Sequence, residues 1–291
     1  MNIMITGASG EYGSYAIDFL KKFAPEATLY GLVRNETKGK ALKDKGVNIR
    51  IGDYSDANSM IDAMKGIDRL LFVSVSIPNV QQNVVQAAQV NGVKYIAYTS
   101  IYQPEYSKFG LEMIHTQTEN WIKESGIRHT FLRNSWYMEV NQSLFDYAKK
   151  TNEFPYFATE GKLSFALKKE YAEAGARVIA DGDYGEIINL AGQPRTYEQM
   201  ALATQKAFDT EVNIKKISEE NFVPTLENAG ISGATVSKLY QEYTLKGNNG
   251  EAQADSTEFE EVLGHSLLDL PSAIKVATEA PLKQISNDIN N

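Results

Sequence analysis

One stretch near the amino terminus constrains this chain more than any other. Asn2-Ile3-Met4-Ile5-Thr6 is a short apolar run, the length of one buried strand. Gly7-Ala8-Ser9-Gly10-Glu11-Tyr12-Gly13 follows at once, and Tyr15, Ala16, Phe19 and Leu20 then recur at helical spacing. Strand, glycine turn and helix in that order predict the first βα unit of a doubly wound parallel sheet. Each glycine has its own reason. Gly7 permits the sharp turn off the strand, Gly10 lets backbone come close to a pyrophosphate, and Gly13 lets the helix pack on the strand. The helix start offers free N–H groups and a positive dipole end. Thr6, Gly7, Ala8, Ser9, Gly10, Glu11, Tyr12 and Gly13 therefore form the first candidate contact surface for a dinucleotide.

The rest of the first half repeats the unit. Strands are expected at Thr28 to Val33, Val47 to Ile51, Arg69 to Ser74, Tyr95 to Ser100 and His129 to Leu132, with an amphipathic helix from Val80 to Asn91 closed by Gly92. The end of the second strand discriminates between cofactors. An NAD site usually places Asp or Glu there, for the ribose 2′-hydroxyl. This chain has Arg34-Asn35, with Lys38 and Lys40 nearby. A guanidinium suits a 2′-phosphate, so NADP(H) is preferred over NAD(H); a solvated basic loop is the plainer alternative. Asp53, after the third strand, could meet the adenine amino group or simply make a turn. Ser74, Val75 and Ser76 leave the fourth strand where a doubly wound sheet puts its ligand.

From about Asn134 the pattern loosens. Strands are expected at Lys162 to Leu167 and Glu186 to Leu190. Helices are expected at Glu170 to Ala180, Thr196 to Phe208, Ser218 to Ala229, Thr235 to Lys246 and Ser256 to Leu263, with a loop at Lys246-Gly247-Asn248-Asn249-Gly250. The expected organisation is a Rossmann-type α/β part over residues 1–150, with strand 186–190 available to rejoin its sheet. A smaller, mainly helical substrate lobe follows over residues 151–291.

The net charge of −8 argues against a nucleic-acid or anionic-membrane partner. No apolar run approaches a membrane span, and the amino terminus lacks the basic and apolar regions of a signal peptide. With no cysteine there is no disulfide, thiolate nucleophile or cysteine–zinc site. No metal site is expected, since the three histidines have no partner at ligand spacing. These features fit a cytoplasmic enzyme acting on a small molecule, and they leave a homodimer open.

The candidate chemistry is sparse. A Tyr-x-x-x-Lys pair, which would supply proton transfer to a carbonyl, is missing around Tyr98, Tyr102 and Tyr106. What remains is His115, which shares a helix face with Glu119 at i, i+4. Asn134, Trp136 and Tyr137 follow the sixth strand and could shape a flat slot beside a nicotinamide, or pack as an aromatic corner. His115 and Tyr137 are the catalytic candidates.

Several segments together carry a resemblance over nearly the whole chain. They are Ile5-Thr6-Gly7-Ala8-Ser9-Gly10, Val33-Arg34-Asn35, Gly52-Asp53-Tyr54, Ala97-Tyr98-Thr99-Ser100, Phe131 to Tyr137 and Leu263-Gly264-His265. The chain resembles the NmrA-like atypical short-chain dehydrogenase/reductases. Within them it is most similar to the bacterial NAD(P)H:quinone oxidoreductase type 2 branch, with triphenylmethane reductase a close relative. The resemblance implies NADPH contacts from the glycine turn, Arg34, Ser74–Ser76 and Asn134–Tyr137. It also aligns His115 with a histidine in a His-x-x-Thr-Glu stretch. Lys168 stands where the branch tends to have arginine. The expected activity is NADPH-dependent hydride transfer to a quinone or similar conjugated acceptor. The competing expectation is an NADP(H)-binding redox sensor without turnover, since some NmrA-like relatives regulate by protein contact.

Overall fold

The chain alternates strand and helix through its first 134 residues. In order it forms β1 (Asn2–Ile5), α1 (Glu11–Phe23), β2 (Thr28–Val33), α2 (Glu36–Asp44), β3 (Asn48–Ile51), α3 (Ala57–Ala63), β4 (Arg69–Phe72), α4 (Gln81–Val90), β5 (Tyr95–Ile101), α5 (Glu112–Glu124) and β6 (Arg128–Asn134). The structure, a computed structural model, describes residues 1–158, 160–245 and 251–279. The loop expected at Lys246–Gly250 lies outside them.

The remaining elements are β7 (Trp136–Tyr137), a 3₁₀ turn at Met138–Asn141, α6 (Gln142–Thr151), β8 (Glu153–Tyr156), β9 (Leu163–Ala166) and α7 (Lys168–Asp181). Then come β10 (Ile187–Leu190), β11 (Pro194–Arg195), α8 (Tyr197–Phe208), β12 (Asn213–Lys216), α9 (Glu219–Asn228), α10 (Ala234–Leu245), a 3₁₀ turn at Glu251–Gln253, α11 (Thr257–Leu263) and α12 (Leu270–Glu279).

Seven strands form one sheet in the order β10-β6-β5-β4-β1-β2-β3, and every adjacent pair is parallel. Strand alternation divides the core between the two faces. Ile3, Ile5, Leu71, Ala97 and Leu132 point to one side, with α1 and α7. Met4, Leu70, Phe72, Ile96, Tyr98 and Phe131 point to the other, with residues of α3, α4 and α5. After β3 the chain crosses to the far side of β1 to form β4. Strand order therefore reverses between β1 and β4, and the loops leaving these two strands diverge around a crevice.

β10 joins the open edge of β6, pairing Ile187 with Phe131 and Leu190 with Asn134. α7 covers α1 closely, because Gly175 leaves room for the Tyr12 phenol. A Cβ there would lie 2.3 Å from Tyr12 Oη. The later part of the chain has its own aromatic-rich core, including Trp136, Phe145, Phe154, Tyr197, Phe222 and Tyr243. Two small sheets, β11-β9-β7 and β12-β8, accompany its helices. Among the described residues no helix is long and apolar enough to cross a membrane.

Candidate functional site

The site is built at the carboxyl ends of β1 and β4. Thr6, fully buried, ties them together: its amide donates to the Leu71 carbonyl at 3.1 Å, and its Oγ1 accepts from the Val73 amide at 2.8 Å. Gly7 turns the chain with φ +58°, in the left-handed region that a side chain would strain. Gly13 is a matter of contact. A Cβ there would lie 2.4 Å from the Gly7 carbonyl oxygen and 2.7 Å from Ala8 Cα, and neither backbone atom can yield. Gly10 sits at φ −76°, and its Cβ would come to 3.2 Å of the Gly7 oxygen. It precedes α1 without a side-chain cap, so the helix start faces the turn with its first N–H groups unclaimed by side chains. Ala8 is buried and Ser9 exposed. The Tyr12 ring turns away into the core, where its hydroxyl donates to the Tyr171 carbonyl at 3.1 Å.

Arg34 is exposed at the end of β2, and Asn35 caps α2 by accepting from the Lys38 amide at 3.0 Å. Asp53 accepts from the Ser55 amide (2.8 Å) and hydroxyl (2.6 Å). These bonds, and then the Arg34 guanidinium nearby, hold its carboxyl below the usual range. Beyond β4, the Ser74 amide donates to Thr99 Oγ1 at 2.8 Å and the Val75 amide to Gln81 Oε1 at 3.1 Å. Ser76 is exposed.

Asn134 ends β6. It is buried, yet its Oδ1 has no hydrogen-bond partner among the described residues. A sealed carbonyl oxygen with nothing to accept costs free energy unless a ligand donates to it, so the residue fits an amide-bearing cofactor. Trp136 does not face this space. Its indole is buried against Phe109, Tyr240 and Tyr243, and Nε1 donates to Glu251 Oε1 at 3.0 Å. The 134–137 segment therefore offers the Asn134 amide and the Tyr137 ring. Burial raises the Tyr137 phenol, with Lys168 and Asn134 working against the rise.

Lys168 Nζ lies 5.4 Å from the Tyr137 ring centre and 2.6 Å from Glu11 Oε2. Its backbone amide donates to both oxygens of Glu139, at 3.1 Å each, and burial pushes that carboxyl up to about 7. Burial opposes the Lys168 charge, but Glu11, Glu139 and Tyr137 together outweigh it and the ammonium is held above its ordinary value. Sequence reading treated Lys168 only as a departure from a pattern. Its contacts tie the first turn of α1 to the first turn of α7.

His115, on α5, is half-buried. Burial drives its imidazole down to about 4, although Glu119 and Glu112 pull the other way. Its Nδ1 lies 3.1 Å from Tyr98 Oη. Of the other histidines, His129 Nδ1 meets the Ile127 carbonyl at 2.8 Å, and His265 lies 3.3 Å from Glu173. Gln81 and Thr118, which complete the surroundings of Tyr98, escaped the sequence reading. The available signal was Gln81 itself, a polar residue on the same helical stripe as Val84, Val85 and Ala88.

A parallel sheet whose order reverses at β1 and β4, with a glycine turn at the reversal, defines a Rossmann-type nucleotide-binding protein. The chain belongs to the NmrA-like family, whose model matches residues 1–275. It is 33% identical over 278 residues to Quinone oxidoreductase 2 of Escherichia coli (strain K12), covering 94% of this chain and 97% of that one. It also resembles the crystal structure of the E. coli NADPH-dependent quinone oxidoreductase QOR2 complexed with NADPH. The TM-score there is 0.81 at 32% identity, over 94% of this chain and 99% of the other. The Citrobacter sp. triphenylmethane reductase complexed with NADP(H) matches with a TM-score of 0.84 at 30% identity, over 95% and 100%. With these relatives, the chain is an oxidoreductase of the NmrA-like family.

Proposed function

We propose that this protein is an NADPH-dependent reductase of quinones or similar flat conjugated acceptors. The observation that carries the reading is the glycine turn at the sheet's reversal point, on which α1 packs so closely that a Cβ on Gly13 would lie 2.4 Å from the Gly7 carbonyl oxygen. The cofactor is NADP(H), the ligand of both solved relatives, and when bound it supplies the hydride. Gly7 to Gly13 would hold its pyrophosphate, Arg34 its 2′-phosphate, Asp53 the adenine edge, and Ser74 to Ser76 with Asn134 and Tyr137 the nicotinamide end. We assign this work to residues 1–150 together with strand β10, and the acceptor's far wall to the aromatic-rich later part of the chain.

This chain's own residues then bind, orient and exclude water. A quinone needs little general-acid help, because its reduced oxygen is a stabilised phenolate. That fits a site with no Tyr-x-x-x-Lys pair. With its imidazole held near 4, His115 is neutral in the neutral pH range. It serves as a hydrogen-bond donor to the acceptor oxygen rather than as a source of protons. The lack of a cysteine fits a cytoplasmic setting.

Stopped-flow absorbance at the nicotinamide band tests the reading. Bound NADPH should be oxidised by a simple benzoquinone, and His115→Ala should slow turnover about tenfold, roughly 1.4 kcal/mol. Tight NADPH binding with no oxidation would replace the reductase with a sensor. Dissociation constants should favour NADPH over NADH; equal values would remove Arg34 from phosphate recognition.

A further inference from the structure

Between the Ser74–Ser76 segment and His115 runs a chain of hydrogen bonds whose directions are fixed as far as Tyr98. The Val75 amide can only donate, and it meets Gln81 Oε1 at 3.1 Å, which settles which end of that buried amide is oxygen. Gln81 Nε2 then has two protons to give. One goes to Thr118 Oγ1 at 2.8 Å, whose own proton is committed to the Ile114 carbonyl at 2.9 Å. The other goes to Tyr98 Oη at 3.3 Å. The Tyr98 hydroxyl has one proton, and pointing it at His115 Nδ1, 3.1 Å away, completes the chain. Nδ1 is thereby an acceptor, and a neutral imidazole must carry its proton on Nε2. Among the described residues the His115 side chain is hydrogen-bonded through Nδ1, to Tyr98.

We infer that Gln81 and Tyr98 are positioning residues that hold His115 as its Nε2–H tautomer, so that the ring presents one neutral N–H to the acceptor oxygen. The tautomer is inferred from the run of hydrogen bonds and a neutral ring; its use on an acceptor oxygen rests on the reductase reading above. The opposite tautomer would turn a lone pair toward an oxygen that gains negative charge during reduction, which repels where a donor attracts. The chain starts at Val75, so the segment assigned to the nicotinamide end and the ring assigned to the acceptor share one rigid set of bonds.

The test is ¹⁵N NMR of the full chain labelled at histidine, with and without saturating NADP⁺. His115 is assigned by the signals lost in His115→Ala, which leaves His129 and His265. The expected wild-type spectrum has Nδ1 in the range of an unprotonated ring nitrogen and Nε2 in the N–H range. In Tyr98→Phe the two signals should move toward exchange-averaged positions. In Gln81→Met they should move part of the way.

Single-turnover oxidation of NADPH by benzoquinone should slow about three- to tenfold in Tyr98→Phe, the scale of one hydrogen bond. The NADPH dissociation constant should stay unchanged, and the same change should cost nothing further in a His115→Ala background. A wild-type spectrum with the proton on Nδ1 overturns the inference, and so does a Tyr98→Phe loss that persists undiminished without His115. If no quinone oxidises bound NADPH, the reductase reading fails while the spectra still decide the tautomer.

Discussion

Two carboxylates lie buried in this molecule, Glu119 and Glu251, and they are held by opposite means. Glu119, under the main sheet, faces a guanidinium: Arg133 Nε donates to Oε1 at 3.0 Å and a terminal nitrogen to Oε2 at 2.8 Å. Ser100 Oγ adds a third bond at 2.6 Å. Glu251, in the aromatic core of the later chain, is held by neutral donors, the Trp136 indole at 3.0 Å and the Tyr243 phenol at 3.4 Å. Burial pushes its carboxyl up to about 7. The same side chain at similar depth thus carries opposite liabilities. The first is endangered by losing its partner and the second by keeping its charge.

The largest effect expected from this contrast is in Arg133→Met. Leaving Glu119 buried without its cation should cost about 3–5 kcal/mol in urea unfolding, with an unchanged slope. A cost below about 1 kcal/mol would erase the distinction. Next comes Glu251→Gln, which should have the opposite sign. A carboxyl raised in the folded state binds a proton more tightly there than in the unfolded chain. Its penalty is absent below the unfolded value near 4.5 and grows as pH rises through about 7. The amide should therefore stabilise the protein by about 2–3 kcal/mol at pH 8 and by nothing at pH 4. Stability curves of the two proteins that run parallel across that range would refute the assignment. Smallest is Trp136→Phe, expected to lose about 1–2 kcal/mol with the indole bond and to move the Glu251 titration further upward. Paired stability–pH profiles measure both.

The sheet half was legible because its signals are local. β2 occupies Thr28–Val33 as its apolar run predicts, and β10 joins the sheet at the segment expected to rejoin it. Gly7 and Gly13 show the turn and close contact that their spacing implies. The later part was less readable. β8 contains Pro155, β12 is Asn-Ile-Lys-Lys, and among the described residues each pairs only with the other. Four residues with one partner strand leave no period to detect. The surroundings of His115 were hidden for a different reason. Gln81 reaches Tyr98 and Thr118 across 17 and 37 positions, and no spacing rule links residues brought together only by packing of α4 and α5 against β5. Trp136 was expected to line the nicotinamide slot, with an aromatic corner as the alternative; it packs in the corner, and the side to which its ring turns depends on Glu251, 115 positions later.

The placement of α7 and β10 has a consequence for synthesis. When the ribosome has delivered the first six strands, the outer edge of β6 is a row of unpaired amides and carbonyls, and α1 lacks the helix that receives Tyr12. The second gap persists until α7 has emerged and the first until Leu190 has. A nascent chain arrested between these points would expose a ready template for strand addition beside a bare apolar helix. Holdase capture and aggregation should therefore concentrate in that interval of translation.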